Sequence, residues 1–410
     1  MKILVLSMLR LGDLILHHEI IRSIRRTHPG SQISCLINDG SRAAIELIPE
    51  IDEWIVFPRD EWQHQMNQSQ RWIFSPVLQL EKILRRLKSE KYDQILNLTH
   101  SVISGHIVGF LADSSREVRG LCLNENGQLD TKSVSADFLR PLQYMNHTWS
   151  TDNAPLIHYL EMLAIVSGYG LKLDSQKAHR DQAFQVLSFQ LSTSDARKHF
   201  SKAKWVEILK NVQNEFPHLA IQILTAPNEN SNWKDHLPDV KVIPCTLSEG
   251  VQLIRQSDVF VSHDTSLLHL ASRTATPIVQ ISLGSSHVYK TSSLQNGTVV
   301  IAAQKSCFPC GHQASCPHPR FECHEDVDAE KILEAIKYQI SAQTHRLPSR
   351  LSQVQIVDGL WWLQNEKNDR NFSQKQTLYN LLSGHPDSEL FSKEERLESK
   401  SSNPFDASIG

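Results

Sequence analysis

The sequence predicts an α/β protein with two Rossmann-like domains that face each other across a cleft. Short, continuous apolar runs alternate with segments of helical periodicity, as in Ile3–Leu6 followed by Leu14–Arg26. Continuous apolar runs are typical of strands buried on both faces, and their alternation with helices favours parallel sheets. The alternation stops near residue 175 and begins again at Ala183, which indicates a second domain.

The composition is that of an ordinary globular protein. The 410 residues are 40% apolar and 21% charged, and their formal net charge is −3. This balance supports large cores and gives no sign of a basic nucleic-acid-binding surface, so we expect no nucleic-acid partner. No apolar run approaches the length of about 18 residues that a membrane span needs. Met1–Ser7 is too short for a signal peptide. We therefore expect a cytoplasmic protein whose seven cysteines are thiols or metal ligands.

In the first domain, residues 1–175, we predict strands from continuous apolar runs. We predict helices from apolar residues that recur every three or four positions. Strands are expected at Ile3–Leu6, Ile33–Ile37, Glu53–Phe57 and Gln94–Leu98. Helices are expected at Leu14–Arg26, Arg42–Ile48, Pro76–Ser89, His100–Ala112 and Pro155–Ser167. Residues 113–155 are rich in Asn, Gly, Ser and Thr, and we expect them to be irregular.

The second domain, residues 176–342, repeats the alternation, and residues 343–410 form a separate extension. Strands are expected at Gln185–Gln190, Ala220–Leu224, Val259–Ser262 and Pro277–Ser282. Helices are expected at Lys204–Phe216, Leu247–Gln256 and Asp326–Ala342. The extension is predicted to be helical around Leu360–Leu363 and over Phe372–Ser383, with a disordered tail from Ser392 onward.

Polar residues follow the strand Val259–Ser262 directly. Asp264, Thr265 and Ser266 can cap a new helix, and His269 lies on the same side of its first turn. Free backbone N–H groups at such a helix start favour phosphate, although an ordinary strand-to-helix turn has the same pattern.

A second candidate ligand site follows the first strand, where Gly12 and Asp13 lie just beyond the carboxyl end of that strand. Open α/β sheets bind ligands at this edge. The alternative for Asp13 is a helix N-cap.

Together these motifs resemble those of glycosyltransferase family 9, the heptosyltransferases, whose fold is GT-B. The resemblance covers about residues 1–338 and rests on motifs in the family's order. These are Gly12-Asp13, Arg197–Phe200 with Trp205, and Asp264-Thr265 with His269. Ser266 stands where the family commonly has glycine.

The resemblance implies an ADP-sugar donor, typically ADP-heptose, bound by the second domain, and an acceptor held by the first. Asp13 would then act as the general base, and Lys198 would stabilise the departing diphosphate as a catalytic cation. No cofactor is required for this chemistry. The donor-binding residues that we predict are Thr193, Ser194, Lys198, Glu229, Asp264, Thr265, Ser266 and His269.

The acceptor is left open. We expect a hydroxyl of the lipid A-core of lipopolysaccharide, which implies peripheral contact with the cytoplasmic face of the inner membrane. The alternatives are a serine of a secreted or autotransporter protein, and a non-catalytic protein that binds a sugar nucleotide. A Rossmann dehydrogenase is disfavoured because neither domain begins with Gly-x-Gly-x-x-Gly.

Four cysteines form an insertion in the second domain, within residues 307–323. They are Cys307, Cys310, Cys316 and Cys323. Four thiols that begin with a Cys-x-x-Cys pair predict a structural zinc or iron site. The spacings of the last two cysteines differ from those of a zinc ribbon, so a segment without metal is the alternative.

Overall fold

The computed structural model shows two compact α/β units. One unit holds Met1–Lys172 together with the helical residues from Ser373, and the other holds Leu173–Phe372. The structure describes residues 1–68, 74–150, 157–174, 185–229, 232–311, 315–318, 320–341, 346–364 and 372–383. Both units contain parallel sheets, which confirms the predicted fold class. The predicted domain boundaries after residues 175 and 342 stay predictions.

The first unit has a five-stranded parallel sheet in the order β3-β2-β1-β4-β5. Its strands are β1 (Lys2–Ser7), β2 (Gln32–Asn38), β3 (Glu53–Phe57), β4 (Gln94–Asn97) and β5 (Glu117–Gly120). Residues 3–6 of β1 are fully buried because the strand lies in the middle of the sheet. The sheet order reverses between β1 and β4, which makes their carboxyl ends the expected ligand edge.

The helices of the first unit connect these strands. They are α1 (Leu11–Thr27), α2 (Arg59–Gln68), α3 (Phe74–Ser89), α4 (Val102–Leu111), α5 (Ala136–Ser150) and α6 (Tyr159–Ser167), with a 3-10 helix at Asp39–Leu47. The apolar faces of α3 and α4 cover the sheet through residues such as Leu87, Val108 and Leu111.

Residues 113–155 are more regular than their composition suggests, since they contain β5 and α5. Strand β5 is a charged edge strand in which Arg119 pairs with Glu117 at 2.8 Å. Helix α5 contains Pro141. Neither element therefore has the unbroken apolar pattern on which the sequence prediction depends, and the expectation of irregular structure was wrong there.

The second unit has an eight-stranded sheet in the order β13-β12-β11-β10-β9-β6-β7-β8. Its strands are β6 (Val186–Gln190), β7 (Ala220–Thr225), β8 (Lys241–Pro244), β9 (Val259–His263), β10 (Ile278–Ser282), β11 (Val299–Ala302), β12 (Ser352–Val357) and β13 (Leu360–Gln364). Its helices include α7 (Lys202–Glu215), α8 (Leu247–Arg255), α9 (Ser266–Ala271), α10 (Val288–Thr291) and α11 (Ala329–Ile340). The strands from β6 to β11 pair in parallel, and β12 and β13 are antiparallel.

Leu360–Leu363 is a strand, so the helix predicted there was wrong. β12 and β13 form a hairpin whose turn, Asp358-Gly359, has φ angles of +51° and +78°. Trp361 lies in the core, where its indole N–H donates to the Ser293 carbonyl oxygen at 3.1 Å. The alternation of Gln and aliphatic residues in β12, with a Gly turn after it, is the signal that fits this hairpin.

Helix α12 (Phe372–Leu382) agrees with the helix predicted over Phe372–Ser383. Its Lys375 is fully buried, and the ammonium lies 2.5 Å from the Glu161 carboxylate of α6. This ion pair fixes α12 to the first unit. The tail predicted from Ser392 onward lies outside the described residues. No helix in the described part of the chain combines the length and the apolar character needed to cross a membrane.

Candidate functional site

The donor candidates lie at the point where the strand order of the second sheet reverses. β6 and β9 are parallel neighbours, and the chain proceeds outward from β6 through β7 and β8 but from β9 through β10 and β11. The loops after β6 and β9 therefore diverge and leave a crevice at the carboxyl edge, where doubly wound sheets bind ligands. Thr193, Ser194 and Lys198 follow β6, and the Asp264 group follows β9.

Lys198, Asp264 and His269 form one cluster at this edge. The Lys198 ammonium lies 2.6 Å from one carboxylate oxygen of Asp264, and His269 Nε2 lies 3.5 Å from the other. The Lys198 side chain is 14% exposed and that of Asp264 is 5% exposed. Asp264 thus holds the Lys198 ammonium and the His269 imidazole in fixed positions. Of these two groups, the ammonium is the more exposed to solvent.

Lys198 and His269 stabilise the ionised form of Asp264. Burial by itself would raise the pKa of the Asp264 carboxyl, but the hydrogen bond from His269 and the charge of Lys198 outweigh it. The pKa of Asp264 therefore lies well below its ordinary value, and the group is ionised at neutral pH. An ionised Asp264 keeps Lys198 at the crevice edge.

Thr265 is the N-cap of α9. Its hydroxyl accepts from the Leu268 N–H at 3.2 Å and donates to Gln190 Oε1 at 2.7 Å, which links the ends of β9 and β6. Ser266 is the first residue of the helix, and α9 has six residues in all. A helix this short has a weak dipole, so Lys198 contributes more positive charge to this edge than the start of α9 does.

The loop after β6 is held by Asp195, a residue that the sequence did not single out. Its carboxylate accepts from the backbone N–H of Arg197 at 3.0 Å, pairs with the Arg197 guanidinium at 2.7 Å, and accepts from Ser285 Oγ at 2.8 Å. Thr193 Oγ1 donates to the Asp195 carbonyl oxygen at 2.7 Å. These bonds fix the turn that presents Lys198.

Glu229 lies after β7 and contacts the same loop. Its carboxylate accepts from Ser192 Oγ at 2.8 Å. Ser194 is exposed, and its side chain makes no hydrogen bond with another described residue. The structure therefore brings Glu229 to the loop, while Ser194 faces solvent.

The cysteine segment packs against the Lys198 loop. The Cys310 N–H donates to the Gly284 carbonyl oxygen at 2.8 Å, and Arg197 Nη1 donates to the Gly311 carbonyl oxygen at 3.1 Å. His324 Nε2 donates to the Arg197 carbonyl oxygen at 2.9 Å. The segment is thus a brace for the loop that carries Lys198.

As placed, the cysteines do not fit a metal centre. Among the described residues, no three His, Cys, Asp or Glu side chains are grouped closely enough to hold an ion. Burial, and then the neighbouring cysteines, raise the pKa values of the Cys310 and Cys323 thiols. The zinc or iron site stays a prediction, and no step of the mechanism below depends on it.

Asp13 lies in the first turn of α1 in the first unit. The N-cap position belongs to Arg10, so Asp13 is not the cap of this helix. Its carboxylate makes no hydrogen bond or ion pair with another described residue, and it is partly exposed. Burial, and then the charge of Asp13, raise the pKa of Tyr159. Asp13 is therefore an available carboxylate at the β1 edge of the sheet.

Two histidines near this edge were missed by the sequence reading. His17 Nδ1 is hydrogen-bonded to Ser7 Oγ at 2.8 Å, and its Nε2 has no partner in the described part of the chain. His100 follows β4 with a φ of +52°, and both of its ring nitrogens are buried without a described partner. Burial lowers the pKa of each to about 3, with His100 contributing to the shift at His17.

These two imidazoles are neutral at physiological pH and can donate or accept. The sequence signals that could have found them are the four-residue spacing from Asp13 to His17 and the position of His100 directly after a strand.

The sequence profile of glycosyltransferase family 9 (heptosyltransferase) matches residues 80–319. A search of curated proteins gives no match. Among solved structures, the glycosyl transferase family 9 protein of Veillonella parvula DSM 2008 is 12% identical with a TM-score of 0.58, covering 83% of this chain and 97% of that one. E. coli heptosyltransferase WaaC with ADP is 16% identical with a TM-score of 0.57, covering 83% and 100%.

The same E. coli enzyme with ADP-2-deoxy-2-fluoro heptose is 15% identical to this chain, with a TM-score of 0.53 and coverage of 84% and 100%. At these identities the structures show a shared fold, that of GT-B glycosyltransferases. The family profile spans more than half of the chain, from α3 to the cysteine segment, and includes the whole Lys198–Asp264 cluster. The chain is a glycosyltransferase and belongs to glycosyltransferase family 9, the heptosyltransferase family.

Proposed function

We propose that this chain transfers heptose from ADP-heptose to an acceptor hydroxyl of the lipopolysaccharide core, with inversion at the anomeric carbon. Its family supports heptosyl transfer, and the E. coli neighbour was solved with ADP and with a fluorinated ADP-heptose. The observation that carries the proposal is the Lys198–Asp264–His269 cluster at the β6–β9 edge. Its Lys198 ammonium and His269 imidazole are preorganised hydrogen-bond donors of the kind that a leaving diphosphate needs.

Lys198 is the proposed partner of the donor's diphosphate. A diphosphate departs with additional negative charge, so a cation placed before the reaction lowers the barrier more than one that must be recruited. Asp264 would itself repel phosphate, and we therefore assign it the role of positioning Lys198 and His269. Ser194 and Ser266 supply hydroxyls for the phosphate oxygens. The hydroxyls of Thr193 and Thr265 donate to the Asp195 carbonyl oxygen and to Gln190, so the proposed role of these two residues is to fix the loop and the helix start that border the diphosphate.

Glu229 is the proposed partner of the donor's ribose. Its carboxylate lies after β7 and holds Ser192 at 2.8 Å, so the side chain is already oriented toward the Lys198 loop. An acidic residue that follows a strand accepts hydrogen bonds from ribose hydroxyls in dinucleotide sites.

Asp13 is the proposed general base. It takes the proton from the acceptor hydroxyl while that oxygen forms a bond to the anomeric carbon, and the bond from this carbon to the diphosphate oxygen breaks. ADP then leaves with its new charge next to Lys198. A base must have a free carboxylate oxygen, and Asp13 has no hydrogen-bond partner among the described residues.

A lipid-linked acceptor implies that the protein works at the cytoplasmic face of the inner membrane. A protein serine as acceptor is the competing outcome, and the acceptor assay distinguishes them. The purified chain is incubated with ADP-heptose and either heptose-deficient core lipid or a serine-rich peptide. Transfer to the lipid alone supports the proposal, whereas transfer to the peptide alone contradicts it.

The donor is tested separately by calorimetric titration with ADP, ADP-heptose, UDP and NAD. We expect binding of ADP and ADP-heptose and none of UDP or NAD. Lys198→Ala should weaken ADP binding by about tenfold or more, as expected for loss of a charge-assisted contact. Lys210→Ala, which alters an exposed lysine of α7, is the matched control and should bind normally. A preference for UDP would overturn the assignment of the donor.

A further inference from the structure

The first unit contains an open apolar cavity of about 480 Å³ between α2, α3 and α4. This volume is within the range of about 300–1,000 Å³ that is typical of ligand sites. Its polar lining residues are Arg59, Gln63 and His106. Its apolar and aromatic lining residues are Phe57, Trp62, Leu80, Leu84, Val102, Ile103, Ile107 and Phe110. None of the proposed donor residues and neither Asp13 nor its histidines line this cavity, which we call the helix cavity.

The rim of the helix cavity exposes large apolar side chains. Ile103 and Phe110 of α4 line the cavity, yet they are 55% and 47% exposed. Val77 and Leu78 of α3 are exposed to a similar degree. Helix α4 contains no charged residue. An apolar helix with an exposed apolar face beside an apolar cavity is typical of a binding surface.

Cations flank this rim. Helix α3 carries four cations and one carboxylate, for a formal net charge of +3. Two of the cations are paired, Arg85 with Glu81 and Arg86 with Glu53 of β3. The Lys88 ammonium lies 5.0 Å from the centre of the Phe110 ring. Arg59, at the cavity, lies 4.0 Å from its nearest carboxylate partner, Asp60, and both side chains are about half exposed. The surface is therefore apolar at its centre, and its edge has an excess of positive over negative side chains, even with Asp60 and Glu61 of α2 included.

We propose that this surface docks on an anionic lipid bilayer. Ile103 and Phe110 enter the interfacial layer, one acyl chain of an anionic phospholipid occupies the helix cavity, and Arg59 pairs with the phosphate of that lipid. A phospholipid supplies both chemistries that the surface presents, since its chain matches the apolar walls and its phosphate matches the cations. Vesicle binding needs neither sugar donor nor acceptor, so the proposal stands or falls independently of the transfer reaction.

The test is sedimentation of the full chain with vesicles of phosphatidylcholine, with or without phosphatidylglycerol. We expect binding to the anionic vesicles that weakens as salt is added. Ile103→Asp should weaken it by about tenfold or more, because the change removes the apolar burial of the exposed half of Ile103 and also places a carboxylate in the interface with anionic lipids. Ile340→Asp on α11 is the matched control, since Ile340 is 42% exposed in the second unit, and it should bind as the wild type does.

Arg59→Glu is a second variant, which reverses the charge at the cavity and should weaken binding to anionic vesicles specifically. Both Ile103 and Arg59 are exposed, so thermal unfolding should show that these variants keep the fold. Equal binding by Ile103→Asp and Ile340→Asp would overturn the proposal. Equal binding to neutral and anionic vesicles would also overturn it, as would binding of a free fluorescent fatty acid without binding of vesicles.

Discussion

Replacing Lys198 by Met removes the cation that lies 2.6 Å from the Asp264 carboxylate while keeping most of the side-chain volume. Breaking a buried ion pair from one side costs about 3–5 kcal/mol, because the other charge is left uncompensated. We expect the free energy of unfolding to fall by about 3 kcal/mol, the lower end of this range. The loss is limited because His269 still lies 3.5 Å from Asp264 and because the Lys198 side chain is 14% exposed. The free energy of unfolding is measured by urea titration.

The double variant Lys198→Met/Asp264→Asn separates stability from donor binding. It removes both charges, so it should be more stable than Lys198→Met alone, by about 1–3 kcal/mol, the usual penalty of an unsatisfied buried group. ADP binding should remain weak in both variants, because both lack the cation. If the single and double variants unfold at the same urea concentration, Asp264 is not destabilised by the loss of Lys198. If the double variant binds ADP as tightly as the wild type, Lys198 does not bind the diphosphate.

Two further predictions concern the loops around the site and acid stability. Gly284 has a φ of +56°, and a Cβ there would lie 2.3 Å from the Arg197 carbonyl oxygen. Gly284→Ala should therefore lower the stability of the fold by at least about 1–2 kcal/mol, as measured by thermal melts, and should weaken ADP binding. Gly30→Ala, where a Cβ meets nothing within 4 Å, should be neutral or slightly stabilising in the same thermal melts. Burial lowers the pKa of His263 to about 3, so below pH 6.5 the unfolded chain binds a proton that the folded chain does not. Stability should therefore fall as pH drops from about 6.5 toward 3, and His263→Phe should flatten that slope of melting temperature against pH; an unchanged slope would contradict the assignment.

Most central strands of both sheets could be predicted because burial on both faces requires a continuous apolar run. The central strand β11 has such a run, Val299–Ala302, and was nevertheless missed. β1, β3 and β9 lie within a residue or two of their predicted bounds. β5 and β8 were missed because they are edge strands, where one side of the ladder has no partner and charged residues are tolerated. β13 was read as a helix because a four-residue apolar run has no periodicity of its own.

In the candidate site, local sequence patterns identify single residues, whereas the contacts between these residues depend on how distant segments pair. Lys198 and Asp264 could be chosen separately, since each follows an apolar strand. Their contact depends on β6 lying next to β9, which no local pattern specifies. Asp195 and His100 were missed because their roles come from contacts and burial set by distant segments, as in the hydrogen bond from Ser285 to Asp195.

The proposed inverting transfer with Asp13 as general base is measured by the acceptor-dependent release of ADP from ADP-heptose. We expect release by the wild type, with the new glycosidic bond of inverted configuration in the product. Asp13→Asn should still bind ADP-heptose but should turn over at least about a hundredfold more slowly, the usual contribution of a general base. Normal turnover by Asp13→Asn would show that Asp13 is not the base, and a product of retained configuration would rule out inversion.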